Sequence, residues 1–167
     1  MTSISRRRFL RGALGGRRSP VRPAYALAEA AFVERCDRCG DCVRACAERI
    51  IRLGDGGFPE IDFALGGCTL CGDCVSACRG RALVGHRPFP LWVQIGGGCL
   101  AYQGVVCRAC GEACDTGAIR FRLRVGGAAE PRIDPPACTG CGGCVSRCPA
   151  QAVSLVPLER DALAQTA

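Results

Sequence analysis

The sequence predicts an α+β chain of two tandem modules, 36–85 and 99–156, each built from short hairpins and short helices around paired cysteine motifs. Three observations lead there. Sixteen cysteines in 167 residues fall into four groups. Three of the groups share the spacing C-x-x-C-x-x-C-x-x-x-C, at Cys36, Cys39, Cys42 and Cys46, at Cys68, Cys71, Cys74 and Cys78, and at Cys138, Cys141, Cys144 and Cys148. The third cysteines of the four groups, Cys42, Cys74, Cys110 and Cys144, recur at intervals of 32, 36 and 34 residues, with a strand, a glycine turn and a second strand in two of the three spacers.

The first element is a basic leader, 1–35. All 22 basic residues are Arg, and eight of them lie here against only Glu29 and Glu34. Ser5-Arg6-Arg7-Arg8-Phe9-Leu10-Arg11 is similar to the twin-arginine consensus of a bacterial export signal. Export needs an uninterrupted apolar stretch next, and Arg11, Arg17, Arg18, Arg22, Pro20 and Pro23 break it. The expectation is therefore a cytoplasmic protein with a non-working signal; a working one would instead send it to the periplasm, and the plain alternative is a disordered basic leader without a role. Ala24–Phe32 is expected to form a short helix entering the first motif. No span reaches the length of a membrane helix, so no stable membrane insertion is expected.

The regular groups carry their chemistry in their spacing. Three cysteines at two-residue gaps sit on one tight loop, so their sulfurs converge on three corners of a 4Fe–4S cubane. The fourth lies beyond that loop's reach and in bacterial two-cluster ferredoxins ligates the neighbouring cluster. Cys36, Cys39 and Cys42 are thus expected to take Cys78, Cys68, Cys71 and Cys74 to take Cys46, and Cys138, Cys141 and Cys144 to take Cys114. A disulfide framework suits cysteines this dense poorly, because neighbours on one loop chelate better than they bridge. Zinc usually needs two C-x-x-C pairs separated by a longer loop.

Between the groups, Arg49-Ile50-Ile51-Arg52-Leu53, Gly54-Asp55-Gly56-Gly57 and Pro59-Glu60-Ile61-Asp62-Phe63 read as a β-hairpin. Ala118–Val125, Gly126-Gly127 and Pro131–Asp134 read as a second. Val43-Arg44-Ala45 and Val145-Ser146-Arg147 should begin short helices. Residues 86–98 are left as a connector and 157–167 as a tail. His86 reads as a surface residue and Trp92 as the small core joining the modules. Gly40, Gly72, Gly111 and Gly142 are expected to permit the tight loops and backbone N–H bonds to sulfur. Only Pro149 supplies the proline that commonly follows the last cysteine; Ala47, Arg79 and Asp115 stand at the other three places.

The remaining group, Cys99, Cys107, Cys110 and Cys114, has seven residues where the others have two. If Leu100–Val106 loop out and return Cys99 to its corner, this is a fourth 4Fe–4S site closed by Cys148. Otherwise the site has an open corner or is a three-iron form. Full ligation is favoured, since an unused thiol beside three ligands is an oxidation liability. The cofactors expected are therefore four clusters, at least three.

Charge and chemistry exclude other classes. The formal charge of +7 resides mostly in the leader, and beyond it 14 Arg face 13 acids. Four oxidised cubanes would add about −8, leaving an acidic cluster body suited to basic patches on redox proteins. No stacking aromatics interleave with the arginines, so nucleic-acid binding has little support. One His, no nucleophile–base pair and no phosphate loop give no catalytic constellation, and no enzyme activity is expected. Nine aromatics make thin cores, so metal must supply much of the folding free energy.

The Arg-rich leader, the three regular groups and the stretched Cys99-Leu100-Ala101-Tyr102-Gln103 run, followed by Cys107-Arg108, Cys110 and Cys114, resemble the ferredoxin-type NapF family. The resemblance extends to about Val156, and the stretched group with the leader is its specific part. It implies a cytoplasmic iron–sulfur accessory protein of a periplasmic nitrate reductase system. The implied partner is the catalytic subunit NapA before its export, and the implied role is assembly or redox priming of that subunit's own cluster. A general electron-transfer ferredoxin, passing electrons to a reductase, is the competing reading.

Overall fold

Alternating apolar and charged residues, not long helices, dominate the secondary structure. The computed structural model describes residues 20–84 and 89–157. The twin-arginine run, His86 and most of the tail lie outside them. In chain order the elements are α1 (Glu29–Arg35), α2 (Asp41–Ala45), β1 (Ile51–Leu53), β2 (Pro59–Ile61), α3 (Asp73–Ser76), β3 (Leu91–Ile95), α4 (Ala109–Glu112), β4 (Ile119–Arg122), β5 (Glu130–Ile133), α5 (Gly143–Ser146) and β6 (Val153–Pro157). Single 3-10 turns cover Asp55–Gly57 and Pro135–Ala137. The fold is α+β and tandem, as the cysteine spacing predicts.

Both expected hairpins form. In β1–β2, Ile51 faces Ile61 and Leu53 faces Pro59, while Arg52 lies opposite Glu60. In β4–β5, Ile119 faces Ile133 and Phe121 faces Pro131, while Arg120 lies opposite Arg132. The period of two sends Ile51 and Pro59, and Ile119 and Pro131, to the core and the arginines to solvent, while Leu53 at the end of β1 is exposed. Short helices begin just before the third cysteine of each group, so that Cys42, Cys74, Cys110 and Cys144 are all buried on their first turns.

A third sheet falls where the sequence suggests only a connector and a module end. β3 pairs antiparallel with β6, Leu91 opposite Pro157 through to Ile95 opposite Val153. The strand preceding the second module's cysteines thereby pairs with the strand following its last one. The first module closes in the same sense but more weakly, through one antiparallel bridge between Ala26 and Leu83 and the bond from Leu27 N–H to the Ala82 carbonyl at 3.0 Å. Such pairings join residues far apart in the chain, which local patterns do not reveal.

The leader differs from expectation in register. Its helix runs from Glu29 to Arg35, and Ala24–Ala28 form a turn and the bridge to Leu83 instead. Phe32 is then fully buried between the bridge and the first hairpin. Arg22, only 11% exposed, stacks over Phe32 and Phe58 at 5.1 and 5.5 Å and binds Glu29 at 2.6 Å.

Each module has its own small core, and cysteines are part of both. Phe32, Ile50, Ile51, Ala82 and Leu83 surround Cys42 and Cys74 in the first. Val93, Ile119 and Val153 surround Cys110 and Cys144 in the second. Ala24, Phe63 and Phe89 make a third core between the modules, with the two rings in edge contact at 5.6 Å. This Phe63–Phe89 pair occupies the joining position expected of Trp92, which is half-buried in β3. Among the described residues no helix is long and apolar enough to cross a membrane.

Candidate metal centres

Left-handed backbone shapes each cysteine loop. Residues two past the first cysteine of the regular groups, Arg38, Leu70 and Gly140, have φ of 56°, 59° and 71°. Gly40, Gly72 and Gly142, two before the third cysteine's helix is under way, have φ of 74°, 84° and 77°. Three residues past each fourth cysteine the chain turns left-handed again, at Arg49, Arg81, Gly117 and Gln151. Each of these four residues also donates its N–H to the carbonyl of that cysteine, at 2.9 to 3.2 Å. For Arg or Leu such a conformation costs on the order of 1 kcal/mol, so the loop must be held by something else. It curls the chain around the sulfurs. Leu70 N–H points at Cys68 Sγ at 3.4 Å and Ala152 N–H at Cys148 Sγ at 3.3 Å, as thiolate ligands require of their surroundings.

Gly111 does not share the role of the other three glycines. It lies inside α4 without a left-handed φ, one residue past Cys110. A Cβ there would meet the Phe121 ring at 2.7 Å and the Ile119 carbonyl at 3.2 Å, so glycine allows β4 to lie against the cysteine loop. Its neighbourhood in the sequence resembles the others only because the Cys-Gly dipeptide recurs.

The thiols meet in crossed sets. One concavity is lined by Cys36, Cys39, Cys42 and Cys78, and a second by Cys46, Cys68, Cys71 and Cys74. A third is lined by Cys99, Cys107, Cys110 and Cys148, together with Phe121 and Val153. Cys144 is surrounded by Cys141, Cys138 and Cys114, which complete a fourth set. The crossing follows from helix pairing: α2 lies beside α3 and α4 beside α5, so each triplet faces the fourth cysteine of its partner motif. Cys99 is buried beside Ala101, and the seven-residue insertion folds back on itself through Gln103 N–H to the Cys99 carbonyl at 3.1 Å and Val105 N–H to the Leu100 carbonyl at 2.9 Å. The loop-out therefore brings Cys99 to the same concavity as Cys107 and Cys110.

All sixteen thiols are free of disulfides. Burial, with Cys36, Cys78 and Cys39 adding like charge, pushes the Cys42 thiol up to about 11. Burial does the same to Cys74, about 11, beside Cys68, Cys42 and Cys71. Cys110 rises to about 11 for burial and the nearness of Cys99, Cys107 and Cys148, and Cys144 to about 12 for burial and the nearness of Cys141, Cys138 and Cys114. Cys114 behaves differently: burial raises it, but the Thr116 hydroxyl and the N–H groups of Ile119, Ala118 and Thr116 outweigh that and lower it. Four thiols gathered in one set around a buried member would repel each other as thiolates, so only a shared cationic group can hold them ionised together. The donor set, all sulfur and crossed between motifs, fits an iron–sulfur cubane. Among the described residues no three His, Cys, Asp or Glu side chains are gathered as they are around a single ion; the sulfurs stand around concavities instead.

The carboxylate between ligands in the first group is bound on both sides. Asp41 pairs with Arg44 and, at 3.7 Å, with Arg79. Arg79 stands where a proline commonly follows the fourth cysteine, and it ties that cysteine's turn to the triplet it faces. Cys39 and Cys71 are the exposed members of their sets.

Known proteins resemble this chain over both modules. The 4Fe–4S dicluster domain family matches residues 35–82 and 105–152, one match per module, with Cys99 just outside the second. A ferredoxin-type protein NapF of Haemophilus influenzae is 42% identical over 144 residues, covering 84% of this chain and 81% of its own length. A ferredoxin-type protein NapF of Escherichia coli is 36% identical over 153 residues, covering 90% and 93%. A methylamine utilization ferredoxin-type protein MauM of Methylorubrum extorquens is 28% identical over 152 residues, covering 77% and 67%.

Proposed function

The chain belongs to the 4Fe–4S dicluster domain family and, among its members, to the ferredoxin-type NapF proteins; from that premise we propose that it is a cytoplasmic, non-enzymatic accessory protein acting on the nitrate reductase catalytic subunit NapA before export. It binds several 4Fe–4S clusters, and the ligand sets of the proposal are Cys36, Cys39, Cys42 with Cys78; Cys68, Cys71, Cys74 with Cys46; Cys138, Cys141, Cys144 with Cys114; and Cys99, Cys107, Cys110 with Cys148. The clusters, when bound, supply one-electron chemistry. The chain's own residues hold the thiolates, direct N–H groups such as that of Leu70 at sulfur, and exclude water with Phe32, Ile50, Ile119 and Val153. The role is assembly or redox priming of the partner's cluster.

The observation that carries this reading is the likeness to NapF proteins over 84–90% of the chain. Capture of NapA by the anaerobically purified, cluster-loaded chain, before and after NapA receives its molybdenum cofactor, tests it. Preference for the immature form is expected. Equal capture of both forms overturns maturation and leaves the second reading, a general electron carrier passing electrons to a reductase. The exposed Cys39 and Cys71 favour that second reading, since they bring two sites to the surface.

A further inference from the structure

The two hairpins share a backbone pattern and differ in charge. In the first, Arg52 lies across from Glu60 and pairs with Asp62 at 3.6 Å. In the second, Arg120 lies across from Arg132, and Arg122 follows two residues on, so the period of two sets all three on one face. All three are exposed. Glu130, the acid of β5, is bound by Arg124 at 2.5 Å. Arg120 Nε donates to the Gly117 carbonyl at 3.3 Å. Among the described residues Arg122 and Arg132 have neither an ion pair nor a side-chain hydrogen bond, and Asp134, exposed two residues past Arg132, pairs with none of the three. Arg108, also exposed, stands over the Phe121 ring at 5.8 Å and brings another guanidinium to the hairpin's flank. At the tip, Leu123 and Val125 are 80% and 104% exposed.

This arrangement does not help the chain to fold. Like charges directly opposite on a sheet destabilise it, and an uncovered Leu and Val leave apolar area in water. Nor do the cysteine loops demand it, since the first hairpin packs on cysteine loops of the same kind with its charges balanced. We propose that the arginine face of β4–β5 is a docking surface for an acidic protein segment, extended and carrying carboxylates at alternate residues. Alternate residues of an extended chain recur at about 6.8 Å, the same repeat that separates Arg120 from Arg122 along β4. A guanidinium takes a carboxylate through two parallel N–H donors, and Arg132 widens the row across the strands. Leu123 and Val125 add an apolar end to the surface. Other polyanions match it less well. No ring lies on this face for bases to stack upon, because Phe121 lines the concavity of Cys99, Cys107, Cys110 and Cys148 instead. The tip has two aliphatic side chains and no Trp or Tyr to anchor it at a lipid interface.

The proposal goes beyond the accessory role, being carried by register and charge whichever protein supplies the carboxylates. The full chain, loaded anaerobically, is titrated against a fluorescent peptide of alternating Glu and Val, with anisotropy read at rising salt. Arg132→Glu is expected to weaken binding about tenfold at low salt and to flatten its salt dependence, since an attraction is exchanged for a repulsion. Arg6→Gln with Arg7→Gln, which changes the net charge by the same amount in the leader, is expected to weaken it less than about twofold. Iron, sulfide and the denaturant midpoint are read for every variant, and Arg132→Glu should load fully and unfold no earlier than wild type. Should it not load, Arg122→Gln decides, with severalfold weaker binding expected. No binding by the wild-type chain, unchanged affinity in the deciding variant, or equal weakening by the leader pair overturns the docking face. So does tighter binding of a single-stranded oligonucleotide, or of phosphatidylserine vesicles, than of the peptide. A wild-type chain without iron overturns the iron–sulfur reading and leaves the peptide result to stand by itself.

Discussion

The two modules carry nearly the same cysteine pattern and are closed by different means. The second is closed by a five-residue antiparallel pairing, β3 with β6, whose inner residues Val93 and Val153 are buried. Among the described residues the first has one bridge, Ala26 to Leu83, and compensates with a side-chain clasp: Phe32 fills its core while Arg22 covers Phe32 and Phe58 and binds Glu29 and Glu60. The hairpins differ too. Arg52 in β1 lies opposite Glu60 and pairs with Asp62 at 3.6 Å, whereas Arg120 in β4 lies opposite Arg132. The lesson is that a cysteine motif specifies a loop and leaves its enclosure open, so that backbone pairing in one copy and a leader in the other meet the same need.

That contrast can be tested hardest at the crossed ligands. Cys46→Ser is expected to destroy the site of Cys68, Cys71 and Cys74 while sparing that of Cys36, Cys39 and Cys42, and Cys114→Ser should do the same to the Cys138 triplet. EPR of the reduced variants with loss confined to the mutated cysteine's own sequence group would contradict the crossing in that module. Next, Cys99→Ser should lower iron and acid-labile sulfide by one cluster's worth, and unchanged content would show that the stretched group binds without it.

Closure comes after ligation in magnitude. Phe32→Ala is expected to cost about 3–5 kcal/mol in anaerobic denaturant unfolding of the loaded chain, followed by loss of visible absorption. Val93→Ala in β3 should cost about 1–3 kcal/mol, since fewer carbons leave the core and the strand pairing remains. Equal costs would mean that the leader and β3 are equivalent closures after all. Arg22→Met, which keeps the stem over the rings and removes the charge, is expected to cost about 1 kcal/mol.

The Arg22 pair also gives a pH signature to the first module. The hydrogen bond from Arg22 holds the Glu29 carboxyl below its ordinary value of 4.5; burial opposes it, and the Arg22 charge adds to it. A depressed folded pKa means that the contribution is complete above 4.5 and fades as pH falls through the folded value. Glu29 is 55% exposed, so less than about 1 kcal/mol is involved. Glu29→Gln should flatten this part of the stability–pH curve in the wild-type background and leave it unchanged in Arg22→Met. Smallest of all, Arg132→Glu should replace a like-charge cross-strand pair by an opposite one and raise stability by about 0.2–1 kcal/mol; no gain would mean that the Arg120–Arg132 face carries no repulsion.

Much of this was legible in the residues because it is local. The two-residue gaps put three sulfurs on one loop, and the strand–glycine–strand spacers between Cys46 and Cys68 and between Cys114 and Cys138 could only fold back on themselves over so few residues. Gly111 misled because a dipeptide says nothing about φ, and the backbone there is helical while its counterparts are left-handed. Trp92 misled because its size suggested a core that Phe63 and Phe89 fill.

The sequence by itself determined the donor chemistry, the number of loops and the hairpins between them, since each depends on contacts within a few residues. Only the tertiary structure decided that β3 seeks β6, that the leader closes the first module through Ala26 and Phe32, and that Cys99 returns across its seven-residue insertion. Those outcomes join segments separated by tens of residues. Their partners are chosen by which apolar faces and backbone edges remain uncovered once the loops have formed, and spacing along a chain does not encode that choice.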